Sequence, residues 1–282
     1  MQDKYPTEKS KRILMCCDLR DSTDILFNFE QNIYRDDKSA LTEPFTYNNF
    51  IMEVHEAIYK EFYLEHENTF FEIYGDGVLS IFPEDNTKFI LENIHRLTNR
   101  MRVYNEAQDV GILKPRIDIG FSLGIGDVSF VYFSLDKRHH PTGQCIHEVA
   151  RMESLSKFYD ARVLISGQFL SYTEEYIKID SRFAYRFIDH VILKGFREPI
   201  TIFELLLDND PRFEIKKNSI QAYSEAYAKY RNKEWAPAKE LFLKIHSEYG
   251  LGIGLVMASR CEILSKIPPG NSWNGIWKMK DK

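Results

Sequence analysis

Two spacings of apolar residues alternate along the chain. Runs that alternate, or stay apolar for four to eight positions, predict strands, and apolar residues three and four apart predict helices. Ile13 to Cys17 is a short apolar run suited to a buried strand, and it stops at Asp18. Phe50, Ile51, Val54, Ile58 and Phe62 have helical spacing within 47–62, and Ile90, Ile94, Leu97, Met101 and Tyr104 repeat it. Between these helices, 70–82 holds two aromatic and aliphatic runs around Gly75-Asp76-Gly77, the pattern of a β-hairpin with a tight turn. Downstream, 117–124 reads as a strand ending in glycines, 128–133 as another strand, 137–143 as a loop, 144–157 as a helix and 161–166 as a strand. The segments 184–192 and 200–207 predict a terminal hairpin around Lys194-Gly195-Phe196-Arg197-Glu198-Pro199. Helices alternating with strands predict a mixed α/β fold, with helices on one face of a sheet.

After Asn209-Asp210-Pro211 the pattern turns wholly helical. Ile220, Tyr223, Tyr227 and Tyr230 mark one helix, Trp235, Ala238, Leu241, Phe242 and Ile245 a second, and 251–264 a third. A unit this small cannot bury its own apolar face, so it is expected to pack on the main domain or on a partner. The Trp273-Asn274-Gly275-Ile276-Trp277 tail suits either a cap on the sheet or a binding surface. Residues 1–10 form a charged tail, and 29–45 a polar, insertion-like loop.

Composition narrows the function more than the fold. The 282 residues are 44% hydrophobic and 28% charged, with a net charge of -5, which argues against non-specific nucleic-acid or anionic-membrane binding. No run approaches the roughly 18 apolar residues of a membrane span, and the polar start lacks a signal-peptide core. The four cysteines include no CxxC pair, so a disulfide scaffold or zinc site is not expected, and a reducing cytoplasm fits.

Chemistry points to two acids, Asp18 and Asp76, each at a strand end. Carboxylates held there are what a site for divalent metal and phosphate needs, because hard cations take oxygen ligands. Asp76 reads equally as a turn residue that tolerates left-handed geometry. No Gly-x-x-x-x-Gly-Lys-Ser/Thr loop is present, which argues against a P-loop enzyme, and Ser22 and Ser122 lack a histidine motif for a hydrolase triad.

Five motifs in order carry a resemblance. Asp18-Leu19-Arg20-Asp21-Ser22-Thr23 resembles the first metal motif of class III nucleotidyl cyclases, and Tyr74-Gly75-Asp76-Gly77 their second. Ile117-Asp118-Ile119-Gly120 through Gly124 resembles their glycine-ended strand, Gly143 through Ser154 their helix of transition-state residues, and Lys194-Gly195 their late phosphate-binding turn. The resemblance spans 11–207. It implies an α+β catalytic domain over 11–209, with a mostly antiparallel sheet, a ferredoxin-like βαββαβ core, and a helical appendage over 210–282. It also implies a head-to-tail homodimer with composite sites, acting on a nucleoside triphosphate. Asp18, Asp76 and the Leu19 carbonyl would hold two magnesium or manganese ions. Backbone N–H groups of Arg20, Asp21, Ser22 and Thr23 would cradle phosphates, with Lys194 and Arg197 assisting. Arg151 would stabilise the transferring phosphoryl group, and His147, where most of the family has asparagine, would orient the ribose.

Two positions bear on the base. Adenylate cyclases of this class carry a lysine four residues before the second aspartate and guanylate cyclases a glutamate; here it is Glu72, and the partner position is His140. A carboxylate only accepts hydrogen bonds, so Glu72 suits guanine N1–H or uracil N3–H and disfavours adenine, while His140 as a donor suits guanine O6 or uracil O4. The charged insert and helical appendage are similar to the bacterial pyrimidine cyclases of Pycsar anti-phage defence. That implies UTP as leading substrate and cyclic UMP as a messenger, acting on a downstream effector without direct contact. GTP stands second. A cyclase-like nucleotide sensor without catalysis, or a helical tail that binds protein, are the readings from other classes.

Overall fold

The structure, a computed structural model, describes residues 8–31, 46–64, 68–108 and 114–280. Residues 1–7 of the expected tail and 32–45 of the expected insert lie outside the described residues. The chain divides into two compact units, Met1–Phe121 with Ile125–Ile146, and Ser122–Gly124 with His147–Lys282.

The first unit holds β1 (Ser10–Leu19), α1 (Ser22–Glu30), α2 (Tyr47–Phe62), β2 (Phe70–Tyr74), β3 (Gly77–Pro83), α3 (Thr87–Gln108), most of β4 (Ile119–Phe133) and β5 (Arg138–Thr142). Its strands run in the order β2-β3-β1-β4, with β5 pairing β4. Ile13, Leu14 and Met15 are buried on both faces of β1, as their unbroken apolar run requires. α2 buries Phe50, Val54, Ile58 and Phe62, its spaced apolar stripe. A capping box fixes its start: the Asn49 N–H donates to the Thr46 hydroxyl at 3.3 Å, and the Thr46 N–H to the Asn49 side chain at 3.1 Å.

Two expectations change here. The strands at 117–124 and 128–133 are one strand, β4, because its glycines permit close approach rather than end it. A Cβ at Gly126 would meet the Cys145 Cβ at 2.6 Å. The segment 137–143, expected as a loop, carries β5: Lys137 takes a left-handed φ of 59°, and His140 pairs across from Val131.

The second unit holds α4 (Gln144–Phe158), whose first turn belongs to the first unit, then β6 (Val163–Ser166), α5 (Gly167–Ile179), β7 (Phe183–Ile192) and β8 (Ile200–Leu207). Four helices follow, α6 (Phe213–Asn218), α7 (Ile220–Arg231), α8 (Trp235–Tyr249) and α9 (Ile253–Lys266), and then a short β9 (Trp277–Lys278). Its strand order is β6-β8-β7-β9, antiparallel except for β7 with β9. The helices of 213–266 share one apolar core with α4 and the strands: Met152, Tyr159 and Ile188 pack with Tyr223, Tyr230, Phe242 and Met257. The tryptophan tail caps the sheet edge, with Trp277 in register with Val191. α5 was not anticipated, although Ser166 caps it, accepting from the Phe169 N–H at 3.1 Å. Across both units the fold is mixed α/β and mostly antiparallel. No described helix is long and apolar enough to cross a membrane.

Candidate active site

In the first unit, the pairing of β1 with β3 sets Cys17 opposite Val78, which brings Asp18 beside the hairpin loop. That loop is two residues long, with Tyr74 opposite Gly77 and a φ of +65° at Gly75, the left-handed value its first position demands. A Cβ at Gly77 would lie 3.0 Å from an Asp18 carboxylate oxygen and 3.2 Å from the Cys17 carbonyl. A side chain there would have to push the carboxylate aside, so the Asp18 carboxylate lies against the residue next to Asp76.

α2 lends two residues that motif reading missed. Burial raises the Tyr47 phenol pKa, the negative charges of Asp76 and Asp18 raise it further, and the hydroxyl bonds Ser22. Tyr47 therefore stands near both acids. Burial lowers the His55 imidazole pKa, and the ring hydrogen-bonds the Asp76 backbone. Helical spacing placed both on α2, but nothing in the sequence tied α2 to the acid pair. The Asp18 and Asp76 carboxylates are hard oxygen donors of the kind that suits magnesium, which keeps waters and takes its other ligands from substrate phosphates. Among the described residues, no cluster of three or more His, Cys, Asp and Glu side chains is arranged to hold a metal by itself.

The expected phosphate cradle is smaller than predicted. The Arg20 N–H donates to the Asp118 carbonyl at 2.8 Å, and its guanidinium lies 3.7 Å from the Asp118 carboxylate. Arg20 therefore serves the β1–β4 connection and leaves the cradle. Asp21 is the N-cap of α1 in left-handed geometry, φ 57°, and offers no side-chain cap bond. Ser22 and Thr23 follow in the first turn, where N–H groups lack intrahelical acceptors.

The two positions expected to read the base are both engaged within their own hairpins. The Tyr74 hydroxyl donates to the Glu72 carboxylate, two residues away on the same face of β2. His140 Nε2 lies 2.6 Å from the Asp136 carboxylate. A neutral ring donating there leaves Nδ1 as an acceptor, so the expected donor role of His140 needs the imidazolium.

In the second unit, α4 buries Val149, Met152, Leu155 and Ser156, which leaves His147 exposed and Arg151 half-buried. The two are four residues apart and share a helix face. Gly124 lets the buried face of α4 approach, since a Cβ there would meet Val149 Cγ2 at 2.6 Å. The Ser122 hydroxyl donates to the Val149 carbonyl at 2.8 Å. Lys194 and Arg197 are exposed in the β7–β8 connection, where Gly195 has a φ of +86°. Arg151, Lys194 and Arg197 have no ion-pair partner among the described residues.

Solved structures share this fold. The adenylyl cyclase CyaB from P. aeruginosa superposes with a TM-score of 0.51 and 18% identity, covering 71% of this chain and 95% of that one. Two structures of a bacterial light-regulated adenylyl cyclase give 0.51 and 0.50, each covering 72% of this chain. The chain has the cyclase catalytic-domain fold. In sequence it is 28% identical over 137 residues to the terminal-differentiation specific adenylate cyclase of Dictyostelium discoideum. That stretch is 47% of this chain and only 6% of the relative's length. No protein-family model matches the chain. Within this fold, Asp18 and Asp76 stand on adjoining strand ends of one unit, and His147, Arg151, Lys194 and Arg197 belong to the other.

Proposed function

We propose that the protein is a nucleotidyl cyclase that converts UTP to 3′,5′-cyclic UMP and pyrophosphate. One observation carries the reading: in a cyclase fold, the Asp18 carboxylate lies against Gly77, next to Asp76. The 3′-oxygen attacks the α-phosphorus, the bond to the β-bridging oxygen breaks, pyrophosphate leaves, and the hydroxyl proton passes to water. Asp18, Asp76 and the Leu19 carbonyl would hold two magnesium or manganese ions, which when bound supply Lewis acidity at the 3′-hydroxyl and neutralise phosphate charge. Ser22 and Thr23 N–H groups receive phosphate oxygens at the start of α1. Arg151 spreads the charge that builds on the transferring phosphoryl group, which is worth most in a water-poor site. His147 donates to the ribose, while Lys194 and Arg197 attract the polyphosphate. Glu72 accepts the ring N–H of the base, and a charged His140 donates to its carbonyl.

The catalytic segment would be 11–209, with 210–282 appended, working as a head-to-tail homodimer whose sites draw on both chains. Val131, Tyr132, Phe133 and Leu135 support pairing, because they expose a run of apolar side chains on the β4–β5 hairpin, with Leu135 84% exposed. As in the systems it resembles, cyclic UMP would be a cytoplasmic defence messenger.

The test is incubation of purified protein with manganese and each of the four triphosphates, with products separated and weighed. Cyclic UMP with pyrophosphate is expected. Cyclic GMP alone would move the reading to a guanylate cyclase, which Glu72 also permits. Absence of any cyclic nucleotide would remove the cyclase reading.

A further inference from the structure

Resting on the cyclase reading, we infer that Tyr74 is a specificity-determining residue: its hydroxyl occupies one oxygen of Glu72 and leaves the carboxylate to accept a single ring N–H. The observation is local and geometric. β2 places Glu72 and Tyr74 two residues apart, so both project from one face. The Tyr74 hydroxyl donates to Glu72 Oε2, and Oε1 is the carboxylate oxygen outside that bond. Tyr74 is 57% exposed at the hairpin tip.

The consequence follows from counting donors on the base edges. Guanine presents two adjacent donors, N1–H and the N2 amino group, and a carboxylate with both oxygens open meets them in parallel. Uracil presents one donor, N3–H, between two carbonyls. A carboxylate with one oxygen held by a phenol keeps one strong in-plane acceptor, which matches one donor and leaves the second donor of guanine poorly met. A buried donor left without an acceptor is costly, which makes this a large lever on selectivity.

Tyr74→Phe keeps the ring and removes only the hydroxyl, so it isolates the bond. The variant should raise the ratio of kcat/KM for GTP over that for UTP by about tenfold, mostly through KM. The 3′-deoxy triphosphates of uridine and guanosine cannot cyclise, and their binding measured calorimetrically should shift in the same ratio. A Glu72→Gln variant, which offers an amide N–H in place of one acceptor, should weaken both 3′-deoxy ligands. An unchanged GTP-to-UTP ratio in both turnover and binding overturns the inference. So does a parent enzyme that uses GTP in preference to UTP. A parent that makes no cyclic nucleotide from any triphosphate instead overturns the cyclase reading itself.

Discussion

Two sets of acids, one in each unit, are held in opposite ways. In the first, Asp18 and Asp76 sit half-buried at strand ends beside a hairpin loop, with the phenol of Tyr47 and the ring of His55 close by. In the second, Asp189 and Glu204 are buried within closed networks. Asp189 pairs with Arg260 and accepts from the Tyr159 hydroxyl at 2.7 Å and the Tyr227 hydroxyl at 3.2 Å. Glu204 accepts from Arg186 Nε at 2.6 Å and from Lys216 Nζ at 2.7 Å. A carboxylate surrounded by committed donors cannot take a new ligand. One bordered by a loop and polar neighbours can. The first arrangement suits a site, and the second ties the C-terminal helices to the strands they pack on.

The widest separation should come from Asp76→Asn. Removing one metal-site charge is expected to lower cyclase turnover about a thousandfold, a loss on the scale of deleting a major transition-state electrostatic contact. The melting temperature should hardly move. An Asp76→Asn protein as active as the parent would dissolve the contrast, since the half-buried acids would then have no task that the buried ones lack.

Next comes Arg260→Ala, which should do the reverse. It leaves Asp189 buried without its cation, and breaking such a pair costs about 3–5 kcal/mol. The guanidinium also lies 4.9 Å from the Trp277 ring, so the cap on β7 loosens with it. For a chain of this size the unfolding midpoint should fall by about 10 °C. A drop within experimental scatter would mean that the buried network is ornamental. Enzyme that stays folded below the new midpoint should retain turnover, because none of the proposed site residues touches Arg260.

How much of this was legible beforehand differs between the units for a physical reason. Asp18, Asp76 and the hairpin were readable because turn geometry and strand ends are local: Gly75-Asp76-Gly77 can do little else, and the glycines mark it. The helices 47–62 and 220–231 were readable because their apolar residues repeat at helical spacing. The buried network was not readable, since Asp189, Arg260 and Tyr159 are far apart in sequence and meet only through packing. Gly124 and Gly126 misled for a related reason. A glycine that ends a strand and one that admits a helix against it look alike until the partner, Val149 or Cys145, is in place. His140 was placed on a loop because Pro141 and Gly143 suggest one, yet pairing with β4 made the segment a strand. Tyr47 and His55 were visible only as helix residues, because their tie to the acids is a tertiary contact, whereas the Tyr74–Glu72 bond is local to β2.

Acid should sharpen the contrast by a smaller amount. Burial alone would raise the Glu204 pKa, but Arg186 and Lys216 more than offset this and lower it. Asp210 follows the same pattern through Lys216. A carboxylate whose folded pKa lies below its unfolded value adds stability above the unfolded pKa, about 4. That stability drains away as pH falls through the folded pKa, because the unfolded state then binds the extra proton. Unfolding free energy should therefore be nearly flat from pH 7 to about 5 and decline below about 4. Glu204→Gln should flatten part of that decline while being less stable than the parent at pH 7. If the acid slopes of variant and parent coincide, Glu204 does not carry the linkage.

The smallest expected effect, Tyr47→Phe, tests whether the polar surroundings of the half-buried acids matter at all. The Tyr47 hydroxyl bonds Ser22, at the start of the helix whose N–H groups are proposed to meet phosphate, and stands near both carboxylates. Phenylalanine preserves the ring contact with Phe29, 6.0 Å between centroids, and removes only the hydroxyl. A single neutral hydrogen bond contributes about 0.5–1.5 kcal/mol, so the manganese concentration for half-maximal turnover should rise between twofold and about tenfold. The melting temperature should stay within a few degrees of the parent, and manganese titration by electron paramagnetic resonance should show the same weakening without substrate. A fall in stability with unchanged metal affinity would make Tyr47 a packing residue of α2. The geometry of the half-buried acids would then not depend on the Tyr47 hydroxyl.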